Sequence, residues 1–231
     1  MATRTAHPYA DTDVVDARAP RFNQATVGVV SLVALLTGWW WLLALLALQL
    51  VLGLRFGRRW CLPCVFYFEV VQPRVGEGPV EDARPPRFAN QVGAVFLSAA
   101  TLAYLVGLPV VGAVLGGIVA ALALLAASTG LCAGCEAYKL LSRLRGVRPG
   151  RVATVDLMEL GAVPFTESVV QFTHPLCSDC RDLEERLRAG TRPLVTVDVS
   201  RQPELARRYH VAVVPTAFSV AADGTVLERL A

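Results

Sequence analysis

The sequence predicts an α-helical membrane domain of four spans, built from two repeated hairpins, followed by a small soluble α/β domain. Three observations predict this architecture. Residues 27–54 and 91–138 carry no charged side chain except Glu136, and about 20 consecutive apolar residues suffice to cross a bilayer. One shared motif precedes each apolar stretch and another ends it. From Arg151 onward, charged and apolar residues mix over short distances, which predicts the soluble domain.

The composition supports a membrane protein. Of the 231 residues, 54% are hydrophobic and 18% are charged, whereas soluble proteins carry about 25% charged residues. The lipid bilayer is therefore an expected partner. The formal net charge is only +3, which is too small to indicate nucleic-acid binding, so no nucleic-acid partner is expected.

Two motifs reveal an internal repeat. The first reads Asp16-Ala-Arg-Ala-Pro-Arg-Phe-Asn-Gln24 and recurs as Asp82-Ala-Arg-Pro-Pro-Arg-Phe-Ala-Asn90. The second reads C-x-x-C-x-x-Y. Two matching ends at similar separation indicate a duplicated unit. The copies of the second motif consist of Cys61, Cys64 and Tyr67, and of Cys132, Cys135 and Tyr138.

The apolar stretches divide into spans at glycine-containing turns. Residues 91–130 are too long for one span, and Gly107-Leu108-Pro109 favours a turn. By the repeat, the first stretch is also a hairpin, turning near Gly38. The alternative is one long tilted helix over residues 27–54, which gives three spans. The four predicted spans lie near residues 24–37, 40–56, 91–106 and 110–130.

Basic residues decide the predicted topology. They flank the apolar stretches, whereas both predicted turns are uncharged. Two hairpins place these cations on one side, which the positive-inside rule identifies as the cytoplasm. We therefore expect a multi-pass protein of the bacterial plasma membrane, with both termini and the soluble domain cytoplasmic. The repeated tyrosines are expected to anchor at the membrane interface. The flanking cations are Arg18, Arg21, Arg55, Arg58, Arg59, Arg74, Arg84, Arg87, Lys139, Arg143, Arg145, Arg148 and Arg151.

The predicted domains are a cytoplasmic tail over residues 1–20, the duplicated membrane domain over 21–145, a linker over 146–164 and the soluble domain over 165–231. The soluble domain shows buried strands, short helices and an Asp-Gly hairpin turn. Its predicted strands lie at 168–173, 194–199, 217–220 and 225–230, and its predicted helices at 181–188 and 203–210.

The soluble domain resembles thioredoxin over roughly residues 165–231. A strand ends in C-x-x-C at the start of a helix, and Val214-Pro215-Thr216 precedes a strand pair. The resemblance implies that Cys177 is the attacking thiolate and Cys180 the resolving thiol. It also implies that Pro215 is cis and that Val214 presents its backbone to a partner peptide. A helix N-terminus lowers the pKa of such a thiol.

The soluble domain also departs from thioredoxin. Ser178-Asp179 stands where thioredoxin has Gly-Pro, and Asp179 and Asp182 oppose thiolate formation. Gln171 stands where thioredoxin keeps a buried aspartate, so the usual proton acceptor is absent. His174 is a candidate for activating Cys177, against the alternative of a polar loop residue.

The membrane half has its own resemblance. Its Pro-Arg-Phe motif and Thr129-Gly-Leu-Cys-Ala-Gly-Cys-Glu-Ala-Tyr138 resemble a bacterial membrane family known as a domain of unknown function, family 4395, over roughly residues 12–145. Three roles stay open for its cysteines: a dithiol relay to the thioredoxin-like domain, a shared zinc or iron site, or apolar packing. The cysteines concerned are Cys61, Cys64, Cys132 and Cys135.

The sequence thus predicts a membrane-anchored thiol–disulfide oxidoreductase whose partners are protein disulfides or thiols and whose exchange step requires no cofactor. Cys177, Cys180 and Pro215 are its predicted catalytic residues. Two alternatives remain open. One is a four-cysteine metal-binding or sulfur-carrying membrane protein. The other is a quinone-linked disulfide-forming enzyme, similar to the bacterial relatives of vitamin K epoxide reductase.

Overall fold

A computed structural model describes residues 6–145, 154–156, 158–159 and 167–230. The chain forms two compact units. The helical unit comprises residues 6–78 and 83–138. The C-terminal unit comprises the described residues from 139 onward together with Pro79–Asp82. The short segment 79–82 therefore groups with the C-terminal unit, where it contacts the helix Ser178–Arg188.

Four long helices form two hairpins in the helical unit. They are α1 (Arg18–Thr37), α2 (Trp41–Phe56), α5 (Arg84–Leu105) and α6 (Pro109–Thr129). Helix α1 ends at Gly38, whose φ of 74° is left-handed, and Gly107 has a φ of 79° in the second turn. Both predicted turns are confirmed, and the single helix over residues 27–54 is wrong because the chain breaks at Gly38.

Shorter elements follow each hairpin. The first copy of C-x-x-C-x-x-Y lies at the start of a segment that forms an α-helix, then a π-helical turn, then a second short α-helix. The second copy lies at the start of one longer helix. The elements are β1 (Val14–Asp16), a 3-10 turn (Arg58–Trp60), α3 (Leu62–Phe66), a π-helical turn (Tyr67–Val71), α4 (Gln72–Val75), β2 (Val80–Asp82) and α7 (Ala133–Arg145).

The two hairpins pack against each other. Helix α1 packs against α6 and α2 against α5, so the first helix of each repeat meets the second helix of the other. Small side chains line the contact, and a Cβ on Gly28 would lie 2.8 Å from Leu124. Two of the described helices, α5 and α6, are long and apolar enough to cross a membrane, whereas α2 is apolar but shorter.

The C-terminal unit contains a mixed four-stranded sheet of order β4-β3-β5-β6. Strand β3 pairs in parallel with β4 and antiparallel with β5, and β5 pairs antiparallel with β6. The core of the sheet contains Phe172 and Phe218, both fully buried. The elements are β3 (Ser168–Thr173), α8 (Ser178–Arg188), β4 (Leu194–Asp198), α9 (Pro203–Arg208), β5 (Thr216–Val220) and β6 (Val226–Arg229).

The C-terminal unit includes residues before the predicted start at 165. Thr154 bridges Thr225, and Val155 is 5% exposed in the same core as β3. The rest of the predicted linker, at 146–153, 157 and 160–164, lies outside the described residues. Part of the sequence assigned to the linker therefore packs with the C-terminal unit.

Candidate thiol–disulfide site

Cys177 and Cys180 lie where strand β3 gives way to helix α8. The turn after Thr173 ends with Cys177, which immediately precedes the helix, and its Sγ accepts a hydrogen bond from the Cys180 N–H at 3.2 Å. The two sulfurs form a disulfide with the Cα atoms 5.3 Å apart. Both cysteines have 0% exposure. An 11-residue helix therefore directs its positive end at the first sulfur.

His174 shapes the turn before Cys177. Its Nδ1 accepts the Leu176 N–H at 3.2 Å, and its carbonyl accepts the Cys177 N–H at 3.0 Å. The ring is 8% exposed. The structure therefore places His174 in the framework of the turn, with one ring nitrogen already engaged by the backbone.

Gln171 lies beside the disulfide on strand β3. It is fully buried, and its Nε2 donates to the Cys180 carbonyl at 2.8 Å. Its Oε1 has no hydrogen-bond partner among the described residues. An amide cannot accept a proton at physiological pH, so Gln171 holds the first turn of α8 in place. Asp179, in contrast, is exposed to solvent, which weakens the effect of its charge on Cys177.

The loop before strand β5 contains a cis peptide bond between Val214 and Pro215, the isomer that the thioredoxin resemblance implied. Val214 is 5% exposed. Thr216 closes the loop, because its hydroxyl donates to the Val213 carbonyl at 2.7 Å.

The sequence does not predict the contacts of two site residues, Ser178 and Asp82. Ser178 accepts the Val80 N–H on its Oγ at 2.8 Å. Asp82 accepts the Val214 N–H on its Oδ2 at 3.1 Å. The repeat offered one signal, since Asp82 is the copy of Asp16, but nothing in the sequence connects Asp82 with Val214.

The two remaining cysteine pairs also form disulfides. Cys61 bonds to Cys64 and Cys132 to Cys135, each with a Cα separation of 5.1 Å. No group of three or more His, Cys, Asp or Glu side chains that could hold a metal occurs in the described part of the chain. The structure thus joins each pair internally and lends no support to a four-cysteine metal site.

Asp16 organises the first repeat. Its carboxylate is 3% exposed and accepts the Tyr67 hydroxyl at 3.0 Å, the Gln72 amide at 3.2 Å and the Gly78 N–H at 3.0 Å. Burial, together with the neighbouring Asp16 carboxylate, raises the pKa of Tyr67 above its usual value. Tyr67 is 2% exposed, so its interpretation as an interfacial anchor is wrong.

The repeat recurs in three dimensions. In the first copy Phe22 packs on Tyr67, with ring centroids 5.9 Å apart. In the second copy Phe88 packs on Tyr138 at 5.4 Å. Each Pro-Arg-Phe motif therefore contacts the C-x-x-C-x-x-Y motif of its own copy, as a duplicated unit predicts.

Two mainly apolar cavities lie in the helical unit, each next to a cysteine pair. One of about 120 Å³ is lined in part by Cys132. The other, of about 130 Å³, is lined in part by Cys61 and Cys64. Both contact Asn23 and Asn90, whose amides hydrogen-bond to each other at 3.3 Å.

Comparison with known proteins gives one match. A family model described as a domain of unknown function (DUF4395) matches residues 15–143. No curated protein matches the chain, and no solved structure does. The match covers the helical unit and does not extend to Cys177 or Cys180.

Proposed function

The chain belongs to the DUF4395 family, a domain of unknown function, and we propose from the chain's own geometry that it is a membrane-anchored thiol–disulfide oxidoreductase. One observation carries the proposal. The Cys177–Cys180 disulfide lies at the N-terminus of helix α8, in a unit whose Val214–Pro215 bond is cis. The order of β3, α8, β4 and the antiparallel β5–β6 pair supports a thioredoxin-like domain.

The proposed reaction is a two-step exchange. In the reduced protein the Cys177 thiolate attacks one sulfur of a partner disulfide, which breaks the partner's S–S bond and forms a mixed disulfide. The other partner sulfur leaves as a thiolate and takes up a proton. Cys180 then loses its proton and attacks the Cys177 sulfur, which releases the second partner thiol. The partner gains two electrons and two protons, and the Cys177–Cys180 pair is oxidised.

Helix α8 stabilises the attacking group. The first N–H groups of a helix and its macrodipole favour a negative charge, and cysteines at such positions ionise more readily than free cysteine. The Cys180 N–H already points at the Cys177 sulfur at 3.2 Å. The same hydrogen bond would hold the thiolate after reduction.

We place the helical unit in a membrane as four spans. Large apolar side chains point outward on all four long helices, for example Leu36, Leu48, Leu102 and Val110, which are 78%, 54%, 60% and 74% exposed. Small residues such as Gly28 and Gly116 pack inside instead. This inside-out distribution is typical of helices that pack in lipid. The flanking arginines then put the cysteines on the cytoplasmic side.

The membrane cysteine pairs supply the proposed electron relay. Each pair forms its own disulfide, so each can hold two electrons as a dithiol. The same exchange chemistry would pass these electrons to or from the Cys177–Cys180 pair. A relay needs no metal.

One observation favours a second candidate, the quinone-linked disulfide-forming enzyme. The cavities of about 120 and 130 Å³ each adjoin a cysteine pair and are mainly apolar. A quinone there would take two electrons and two protons from a dithiol and leave a disulfide. A reporter fused after Ala231 separates the two candidates by compartment. Cytoplasmic reporter activity supports the oxidoreductase with the cysteines inside, and periplasmic activity supports the quinone-linked enzyme.

The proposed function is tested with the full-length protein in detergent. The protein is reduced, freed of reductant and mixed with a dye-labelled glutathione disulfide, and the released thiol is followed by fluorescence. We expect Cys177→Ser to remove the exchange. The matched variant Cys61→Ser with Cys132→Ser should retain a single turnover and lose the electrons stored in the membrane pairs. Exchange of equal extent with and without Cys177 would contradict the proposal.

A further inference from the structure

The C-terminal unit has a short extended segment hydrogen-bonded to residues beside its cysteine pair and its cis bond. Strand β2 (Val80–Asp82) groups with this unit and contacts helix α8. Val80 and Asp82 are both 6% exposed. The segment interrupts the helical unit in sequence, because residues 78 and 83 on either side belong to that unit.

Two hydrogen bonds hold the segment in place. The Val80 N–H donates to Ser178 Oγ at 2.8 Å, at the first residue of α8. The Val214 N–H donates to Asp82 Oδ2 at 3.1 Å, next to the cis bond. The Ser178 hydroxyl oxygen and the Val214 N–H thus both hydrogen-bond to the same tripeptide.

The cysteine pair is closed in this arrangement. Cys177 and Cys180 both have 0% exposure, yet exchange with a partner requires an approach to the Cys177 sulfur. We propose that Val80–Asp82 is an internal ligand that occupies the partner-docking surface of the C-terminal unit. The hydrogen bond to Asp82 holds this ligand in place. The role of a docking surface rests on the proposed function, and the position of the segment rests on the two hydrogen bonds.

The contacts also define what can replace the segment. A competing partner would present an extended peptide whose backbone N–H reaches Ser178 and whose side-chain carboxylate, two residues later, reaches the Val214 N–H. A hydrogen bond to a charged acceptor is stronger than one between neutral groups. The docking surface therefore selects an acidic extended peptide. Ser178, which departs from the thioredoxin sequence, acquires a role in docking.

The repeat provides a second aspartate with which Asp82 can be compared. Its counterpart, Asp16, accepts hydrogen bonds from Tyr67, Gln72 and Gly78, all within the helical unit. Asp82 accepts the Val214 N–H of the C-terminal unit. The hydrogen bond to the Val214 N–H is thus a contact of Asp82 with the C-terminal unit.

The test measures how fast a small dithiol reduces the Cys177–Cys180 disulfide in the full-length protein, resolved by peptide mass spectrometry after alkylation. Asp82→Ala should raise this rate about tenfold or more, the factor that corresponds to about 1.4 kcal/mol. Asp82→Asn, which keeps a carbonyl acceptor, should raise it less. Glu77→Ala in the same loop is the matched control and should leave the rate unchanged. The two other disulfides report on the fold in the same sample.

A peptide added in trans keeps the test decisive. A synthetic Gly-Pro-Val-Glu-Asp-Ala peptide should slow reduction in the Asp82→Ala protein, and the same peptide with alanine for aspartate should not. If Asp82→Ala speeds all three disulfides together, Ser178→Ala and the peptide decide the outcome. Equal rates in the wild type, Asp82→Ala and Ser178→Ala would overturn the inference. Because this assay needs no turnover, a protein that gates its disulfide but reduces no partner would contradict only the proposed function.

Discussion

The hydrogen bond between Tyr67 and Asp16 gives a sharp stability prediction. Tyr67→Phe removes a hydroxyl that donates at 3.0 Å to a buried carboxylate. Hydrogen bonds to charged groups contribute about 1.5–3 kcal/mol. In this variant the carboxylate still accepts the Gln72 amide and the Gly78 N–H. The loss of stability should therefore stay below the value of roughly 3–5 kcal/mol expected when a buried charge loses its partner. We therefore expect the free energy of unfolding to fall by about 1.5–3 kcal/mol.

The assay is reversible unfolding of the full-length protein in mixed micelles. Tyr104→Phe is the matched control, because its ring packs on Trp40 at 6.1 Å and its hydroxyl has no hydrogen bond to any residue that the structure describes. This control should change stability by less than about 0.5 kcal/mol. A double-mutant cycle with Asp16→Ala isolates the pair. Equal losses in Tyr67→Phe and Tyr104→Phe, or a coupling energy near zero, would refute the reasoning.

Two further predictions concern close packing and a partly buried cation. Gly134→Ala should destabilise the protein by about 1–3 kcal/mol, because its Cβ would lie 2.9 Å from Ala89. Gly117→Ala, whose nearest neighbour lies at 3.9 Å, is the control, and equal stabilities would contradict this packing. Arg58→Lys should speed amide exchange over residues 8–14, because the guanidinium donates to four backbone carbonyls there. Arg55→Lys should not, and unchanged exchange in both variants would contradict the role of Arg58.

The hairpins could be predicted because their signal is local. Long stretches without charged residues predict the helices. Gly38 and Gly107 interrupt these stretches, and both have left-handed φ angles. The same holds for Cys177, since a buried strand followed by C-x-x-C predicts a cysteine at a helix start. Among the described helices, only two meet the length and hydropathy of a span, because α2 is short and α1 begins in the polar motif at Arg18.

The remaining site features depend on contacts that are distant in sequence. Asp82 and Val214 are 132 residues apart, and no periodicity or spacing connects them. Tyr67 is buried and donates to Asp16, which lies 51 residues earlier in the sequence. From the sequence alone, a tyrosine after an apolar stretch suits a membrane interface equally well. The spacing of the cysteines in the helical unit fits both a relay and a metal site. Only three-dimensional placement shows that each pair closes on itself.

The proposed exchange is tested most directly by trapping its intermediate. The full-length Cys180→Ser protein should form mixed disulfides with partner proteins through Cys177, because the resolving thiol is gone and α8 still stabilises the attacking thiolate. These adducts should appear on non-reducing gels, disappear with dithiothreitol and be absent from Cys177→Ser. Adducts that form equally well in Cys177→Ser, or none in Cys180→Ser even with Asp82→Ala added to open the site, would contradict the account.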